Sequence, residues 1–177
     1  MALCAIGAGR VDLPAALAAG RERLPDRRDR ALAADIVTGT LRWQRSLDFL
    51  VEHVAKRRLS KIDAEVLVIL RLSLYQLLHL DRVPAAAVVA DAVDLARYAC
   101  KTSAAAFTNA VLRTLLRQRQ RLPWPPRPDT ADRAAALAYL GITHSHPEWL
   151  VARWLDRYGF DAAERWDLPL DFAHGAP

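Results

Sequence analysis

Apolar residues along this chain recur every three or four positions, the step of a helix face, and no segment alternates apolar and polar residues as a half-buried strand would. In "PDRRDRALAADIVTGTLRW", Leu32, Ile36, Thr40 and Trp43 mark one face, Asp26 stands as N-cap, and Asp29 follows in a capping-box-like arrangement. Gly39 inside that helix costs roughly 1 kcal/mol against Ala, which predicts a close approach of another helix. "SLDFLVEHVAKRRL" puts Leu47, Leu50, Val51 and Val54 on one stripe. "KIDAEVLVILRLSLYQLLHL", capped by Asp63, is apolar around most of its circumference and so predicts a helix at the centre of a bundle. "DRVPAAAVVADAVDLARYAC" starts at Pro84 and turns Val88, Ala92 and Leu95 inward, while "TSAAAFTNAVLRTLLRQRQR" takes Ser103 as cap and buries Phe107, Val111, Leu112 and Leu115. Upstream, "MALCAIGAGR" reads as the last turns of a helix stopping at Gly7 or Gly9, and "LPAALAAGRERL" as a short helix with Pro14 in its first turn. Connections are short. The expected architecture is an all-α bundle of about six or seven helices.

The pattern breaks at "LPWPPRPDT", whose four prolines predict a stiff extended linker. Two further helices follow, in "ADRAAALAYLGI" and "SHPEWLVARWLDRYG". In the second, Ser145 and Glu148 form S-x-x-E, Pro147 suits a first turn, and Gly159 suits a stop. Leu150, Val151, Trp154, Leu155 and Tyr158 make an apolar stripe that either folds back on the bundle or awaits a neighbouring domain. The expected divisions are a helical domain over residues 1–120, a Pro-rich linker over 121–132, connector helices over 133–167 and a tail over 168–177.

Composition narrows the chemistry. Hydrophobic residues make up 53% of the 177 positions, which excludes a disordered chain. Cys4 and Cys100 form no CxxC pair, so neither a disulfide scaffold nor a zinc site is expected. "MALCAIGAG" lacks the features of a signal peptide, and "VLVILRLSLYQLLHL" is interrupted by Arg71 and Gln76 and is too short to cross a bilayer. A cytoplasmic protein is expected. The G-x-G of "AIGAGR" follows no strand and makes a poor nucleotide loop, and His144 and His146 make a poor metal set. Cys100 reads as a small buried residue and not as a nucleophile. No catalytic constellation, cofactor loop or metal site is expected.

The net charge of +5, almost all of it arginine, suits an anionic partner. "RERLPDRRDR" brings Arg27, Arg28 and Arg30 into the first turns of a helix, where cations oppose the dipole while free N–H groups attract anions. A phosphate backbone would use both; in the alternative, Asp26 and Asp29 neutralise the turn. Arg42 and Arg45 flank Trp43, an arrangement suited to stacked RNA bases unless Trp43 belongs to the core. Asn109 and Arg113 share a helix face, with Lys101 at its approach.

Together "RDRALAADIVTGTLRW", "LRLSLYQLLHLDRVP" and "FTNAVLR" resemble the NusB-like helical domain, found in transcription antitermination factors and at the N-terminus of bacterial ribosomal RNA cytosine-5 methyltransferases of the RsmB/Sun type. "SHPEWLVARWLDRYG" resembles the segment that leads into the catalytic part of those methyltransferases. The resemblance covers roughly residues 10 to 166. It implies an RNA-binding module for ribosomal RNA, and the charge and helix-face pattern above then makes Arg27, Arg28, Arg30, Arg42, Arg45, Lys101, Asn109 and Arg113 the candidate RNA contacts. A methyltransferase domain or a ribosomal protein is the implied protein partner. In that family the catalytic part binds S-adenosylmethionine and uses cysteines in Pro-Cys and Thr-Cys settings; neither setting occurs here, so a methyltransferase without its catalytic domain is expected. "MALCAIGAG" keeps only the end of the family's basic first helix. The alternatives are an antitermination factor with a ribosomal-protein partner, and a structural interaction domain without RNA affinity.

Overall fold

A computed structural model describes residues 2–99, 101–129 and 132–166. Among them are ten α-helices and no strand: α1 (Ala2–Gly7), α2 (Leu13–Arg23), α3 (Arg27–Arg42), α4 (Gln44–Ala55), α5 (Ala64–His79), α6 (Ala85–Tyr98), α7 (Thr102–Gln118), α8 (Arg133–Thr143), α9 (Glu148–Tyr158) and α10 (Phe160–Trp166). Cys100 and the tail over residues 168–177 lie outside the described residues.

The caps follow the sequence at several starts. The Asp12 carboxylate accepts from the Ala15 amide ahead of α2, Asp26 from Arg28 at 2.6 Å ahead of α3, Asp63 from Glu65 ahead of α5, and Asp132 from Ala135 ahead of α8. Each satisfies one of the N–H groups that a helix start leaves without a partner.

The most apolar helix, α5, sits at the centre, packed by α1, α3, α4, α6 and α7. Leu70 and Leu74 are fully buried against Leu47, Leu50 and Val51 of α4 and Leu112 and Leu115 of α7. The polar interruption at Arg71 has a purpose: its guanidinium makes two bonds to Asp48 of α4, at 2.6 and 2.8 Å. Burial raises the Asp48 carboxyl above its ordinary value, with Arg71 opposing that shift. Gly39 lets α3 approach α5, for a Cβ there would lie 1.9 Å from the Tyr75 ring. Next to it the Tyr75 hydroxyl donates to Asp35 at 2.8 Å, and the His79 ring stacks between Trp43 and Tyr75 at 4.8 and 5.1 Å.

Three packing expectations are corrected. Leu32 and Leu95 are 41% and 39% exposed; the buried places are held by Gly39 and Thr40 on α3 and by Val88, Val89, Ala92 and Ala96 on α6. Ser103 caps nothing: α7 begins one residue earlier, with Lys101 at the cap position, so the Ser103 hydroxyl stands already inside the first turn, exposed. Ser145 does not cap α9. That helix starts at Glu148 behind Pro147, two residues too late for the S-x-x-E geometry.

A second, smaller core joins α8, α9 and α10 around Leu140, Val151 and Phe160. The Pro-rich segment is stapled at both ends. Trp124 stacks on Phe49 of α4, and Arg127 bonds Glu164 at 2.8 Å and Asp161 at 3.2 Å while lying over the Phe160 ring. The hydrogen bond from Arg127 holds the Glu164 carboxyl below its usual range.

Candidate nucleic-acid interface

The candidate residues divide among four sets of contacts. At the start of α3, Arg27 and Arg28 are exposed and have no carboxylate at ion-pair distance among the described residues; Asp26 is occupied with the Arg28 amide. Arg30, one turn on, instead reaches back to the carbonyls of Leu24 and Pro25, both at 2.9 Å, and closes the turn between α2 and α3.

Arg42 and Arg45 form the second set, and their acceptors lie about a hundred residues away. Arg42 donates to the carbonyl of His144 at 2.8 Å and approaches His146 Nε2 at 3.4 Å; Arg45 donates to the carbonyl of His146 at 2.7 Å. The Ser145 Oγ accepts from the amides of Arg45 at 3.0 Å and Ser46 at 3.4 Å, and the Ser46 hydroxyl donates to the Ile142 carbonyl. Thus Ser145 caps α4, whose own cap residue, Trp43, has no side-chain oxygen to offer. Gly141 makes room for this joint, since a Cβ there would lie 2.7 Å from the Arg45 guanidinium. The sequence left Trp43, between these two arginines, as either a stacking platform or part of the core. The structure gives their guanidiniums backbone acceptors, and packs Trp43 partly buried against the core with Arg42 over its ring.

Lys101 is the third set. Its ammonium lies 2.9 Å from Asp63 and 3.9 Å from Glu65, and this contact lowers the Asp63 carboxyl below its ordinary value. The partners stand at the N-terminal turn of α5, so the same carboxylate caps a helix and holds a cation.

Asn109 and Arg113 are the fourth. Arg113 Nε donates to the Asn109 side chain at 3.0 Å across one turn of α7. Both line a shallow groove of about 780 Å³ between α6 and α7, floored by Ala86, Ala90, Ala105 and Ala106. One group escaped the sequence reading: Arg117, Arg119 and Arg121 stand exposed at the end of α7 and in the 3-10 turn that follows, Arg119–Arg121. The alternating "RQRQR" was the available signal.

No group of three His, Cys, Asp or Glu side chains suited to a metal occurs among the described residues, and no described helix is long and apolar enough to cross a membrane. His79, stacked in the core, is pushed down to about 4 by burial, with Asp35 opposing, and is therefore neutral near pH 7.

The sequence model of the NusB family matches residues 12–117, from the cap of α2 to the last turn of α7. Among curated proteins, a probable ribosomal RNA small subunit methyltransferase B of Bacillus subtilis is 36% identical over 138 residues, covering 77% of this chain and 29% of that protein. The ribosomal RNA small subunit methyltransferase B of Pseudomonas putida is 34% identical over 149 residues, or 84% of this chain and 31% of that protein. A transcription antitermination protein NusB of Acetivibrio thermocellus is 33% identical over 85 residues, 48% of this chain and 59% of that protein. The chain spans less than a third of the length of those methyltransferases, in their N-terminal region. On the extent of the family match and the all-helical architecture, this chain belongs to the NusB family.

Proposed function

We propose that the α1–α7 bundle binds ribosomal RNA in the cytoplasm, as the RNA-holding part of a small-subunit ribosomal RNA cytosine-5 methyltransferase. In this reading α8–α10 carry the connection towards a methyltransferase part. The observation behind it is the exposed pair Arg27 and Arg28 at the first turn of α3, which makes no ion pair among the described residues although Asp26 and Asp29 flank it, on a fold of the NusB family. An exposed guanidinium pair beside a helix start suits phosphate oxygens, by charge and by forked geometry. Arg113, positioned by Asn109, adds a further donor on α7. Arg30, Arg42, Arg45 and Lys101 serve from behind, keeping the turns and helix starts in place by the contacts described above. The methyltransferase context is favoured over an antitermination role because the family match ends at residue 117, whereas relatives named as methyltransferases align over 77% and 84% of the chain.

Filter binding of small-subunit ribosomal RNA fragments across a salt series tests the reading. Three phosphate contacts to single-stranded RNA, from Arg27, Arg28 and Arg113, give a log–log slope of about −2, and Arg27→Gln with Arg28→Gln should reduce its magnitude by about 1.4. Absence of binding at low salt, or a flat salt response, refutes it.

A further inference from the structure

Between Asp94 and Asp129 the chain carries no Asp or Glu. Several cations of that stretch are already occupied: Arg97 with Asp94, Lys101 with Asp63, and Arg127 with Glu164. Four remain without a carboxylate partner among the described residues, Arg113, Arg117, Arg119 and Arg121, and all four are exposed. Arg113 and Arg117 stand four residues apart, so they follow one another along one face of α7 at a spacing of about 6 Å. Their guanidiniums are steadied by Asn109 and Thr114 at 3.0 and 2.8 Å. A single cation in the last turn is enough to complement the helix dipole, and Arg117 supplies it. Arg119 and Arg121 lie past the end of α7, in the 3-10 turn, where that explanation no longer applies.

Three residues beyond Arg121 stands Trp124, 38% exposed. Its indole leans on Phe49 with ring planes 17° apart, so the accessible part of the ring is the part turned away from α4. The platform is held in place before any ligand arrives: Pro123, Pro125 and Pro126 restrict the backbone around it, and the Trp124 amide bonds the Leu122 carbonyl at 2.8 Å. The carboxylates flanking Phe49 on α4 are engaged elsewhere, Asp48 with Arg71 and Glu52 with the Leu59 amide. Exposed guanidiniums without ion pairs, followed along the chain by a preorganised aromatic ring, match the two features of an unpaired nucleic-acid strand, regularly spaced phosphates and stackable bases.

We infer that the outer face of α7 and the turn after it form a track for single-stranded RNA, with Arg113, Arg117, Arg119 and Arg121 on its phosphates and one base stacked on Trp124. This rests on the RNA-binding reading and extends it from Arg113 to the end of α7 and the turn beyond, where an unpaired strand is taken.

The test uses the full chain and a twelve-residue oligouridylate, followed by tryptophan fluorescence and by filter binding over a salt series. The wild type should bind with partial quenching of its emission. Trp124→Leu should abolish that quenching and weaken binding about tenfold with an unchanged salt slope, since stacking carries no counterion term. Trp124→Phe, which keeps a ring against Phe49, should recover most of the affinity. Arg119→Gln with Arg121→Gln should lower the magnitude of the slope by about 1.4. Circular dichroism and the melting temperature verify that each variant folds, and the Phe variant carries the test if the Leu variant does not. Wild-type affinity in both Trp124→Leu and the double arginine variant overturns the track, while binding that still depends on Arg27 and Arg28 leaves the proposed function standing. Binding of ribosomal RNA fragments without any binding of oligouridylate likewise overturns the track alone. Loss of all RNA binding by the wild type overturns both. Equally tight binding of a twelve-residue polyglutamate, with the same dependence on Trp124, overturns RNA as the occupant in favour of an acidic protein segment.

Discussion

Replacing Ser145 by alanine should destabilise a helix a hundred residues away. The Ser145 hydroxyl, 8% exposed, accepts from the amides of Arg45 and Ser46 in the first turn of α4. Removing it strips the cap from that helix, a loss of about 0.5–2 kcal/mol, and leaves donors in a buried joint, each costing about 1–3 kcal/mol when unmet. The two descriptions overlap, so the expected total is about 1–3 kcal/mol. In a chain of 177 residues that corresponds to a fall in Tm of roughly 3–10 °C. Thermal unfolding followed by circular dichroism measures the fall, and hydrogen exchange should accelerate at the Arg45 and Ser46 amides first. Two companions sharpen the result. Ser145 holds φ at 59°, so Ser145→Gly loses the same cap but relieves the backbone and should melt above Ser145→Ala. Glu148→Ala should change little, for that carboxylate is mostly exposed and lies 3.8 Å from Arg45. An unchanged Tm in Ser145→Ala refutes the assignment. So does a Glu148→Ala loss as large as the serine loss, which would return Ser145 and Glu148 to the start of α9.

Two further outcomes follow from the contact between α3 and α5. Gly39→Ala sets a methyl group against the Tyr75 ring and should cost about 1–3 kcal/mol by urea unfolding; a neutral substitution would mean that the helices can separate freely. His79 is held neutral in the fold at about 4 against 6.5 when unfolded, so its contribution is complete above pH 6.5 and is lost as the unfolded chain takes up its proton below that. Relative to a His79→Gln variant, the wild type should lose about 2–3 kcal/mol between pH 7.5 and 4.5. Parallel pH profiles of the two proteins would show that the ring is not shielded.

The helices were legible because their signals are local. Asp26, Asp63 and Pro84 mark starts, Gly159 marks a stop, and the continuous apolar surface of α5 announces its central position. Gly39 was also readable, since a glycine that weakens a helix implies a neighbour close by. What the sequence withheld was the identity of partners across space. Arg42 and Arg45 look alike whether they meet phosphates or the carbonyls of residues 144–146, and only folding brings that loop to α4. Lys101 read as part of the Asn109 and Arg113 surface because its partners, Asp63 and Glu65, lie far upstream. Ser145 satisfied a local motif while its hydroxyl served another helix, a case in which tertiary geometry overrides the nearest pattern. The run at Arg117, Arg119 and Arg121 was visible in the letters, but its significance depends on its making no ion pair with any described carboxylate of the fold.

In the joint between the two cores, the acceptors for Arg42, Arg45 and Ser46 are peptide carbonyls of Ile142, His144, Ser145 and His146. Every amino acid supplies a carbonyl. Those backbone bonds survive a change of side chain at positions 142 and 144, whereas position 146 also brings its imidazole Nε2 within 3.4 Å of Arg42. The heritable constraint falls instead on the arginines, the two serines and Gly141, a handful of positions that together fix the bearing of everything beyond α8.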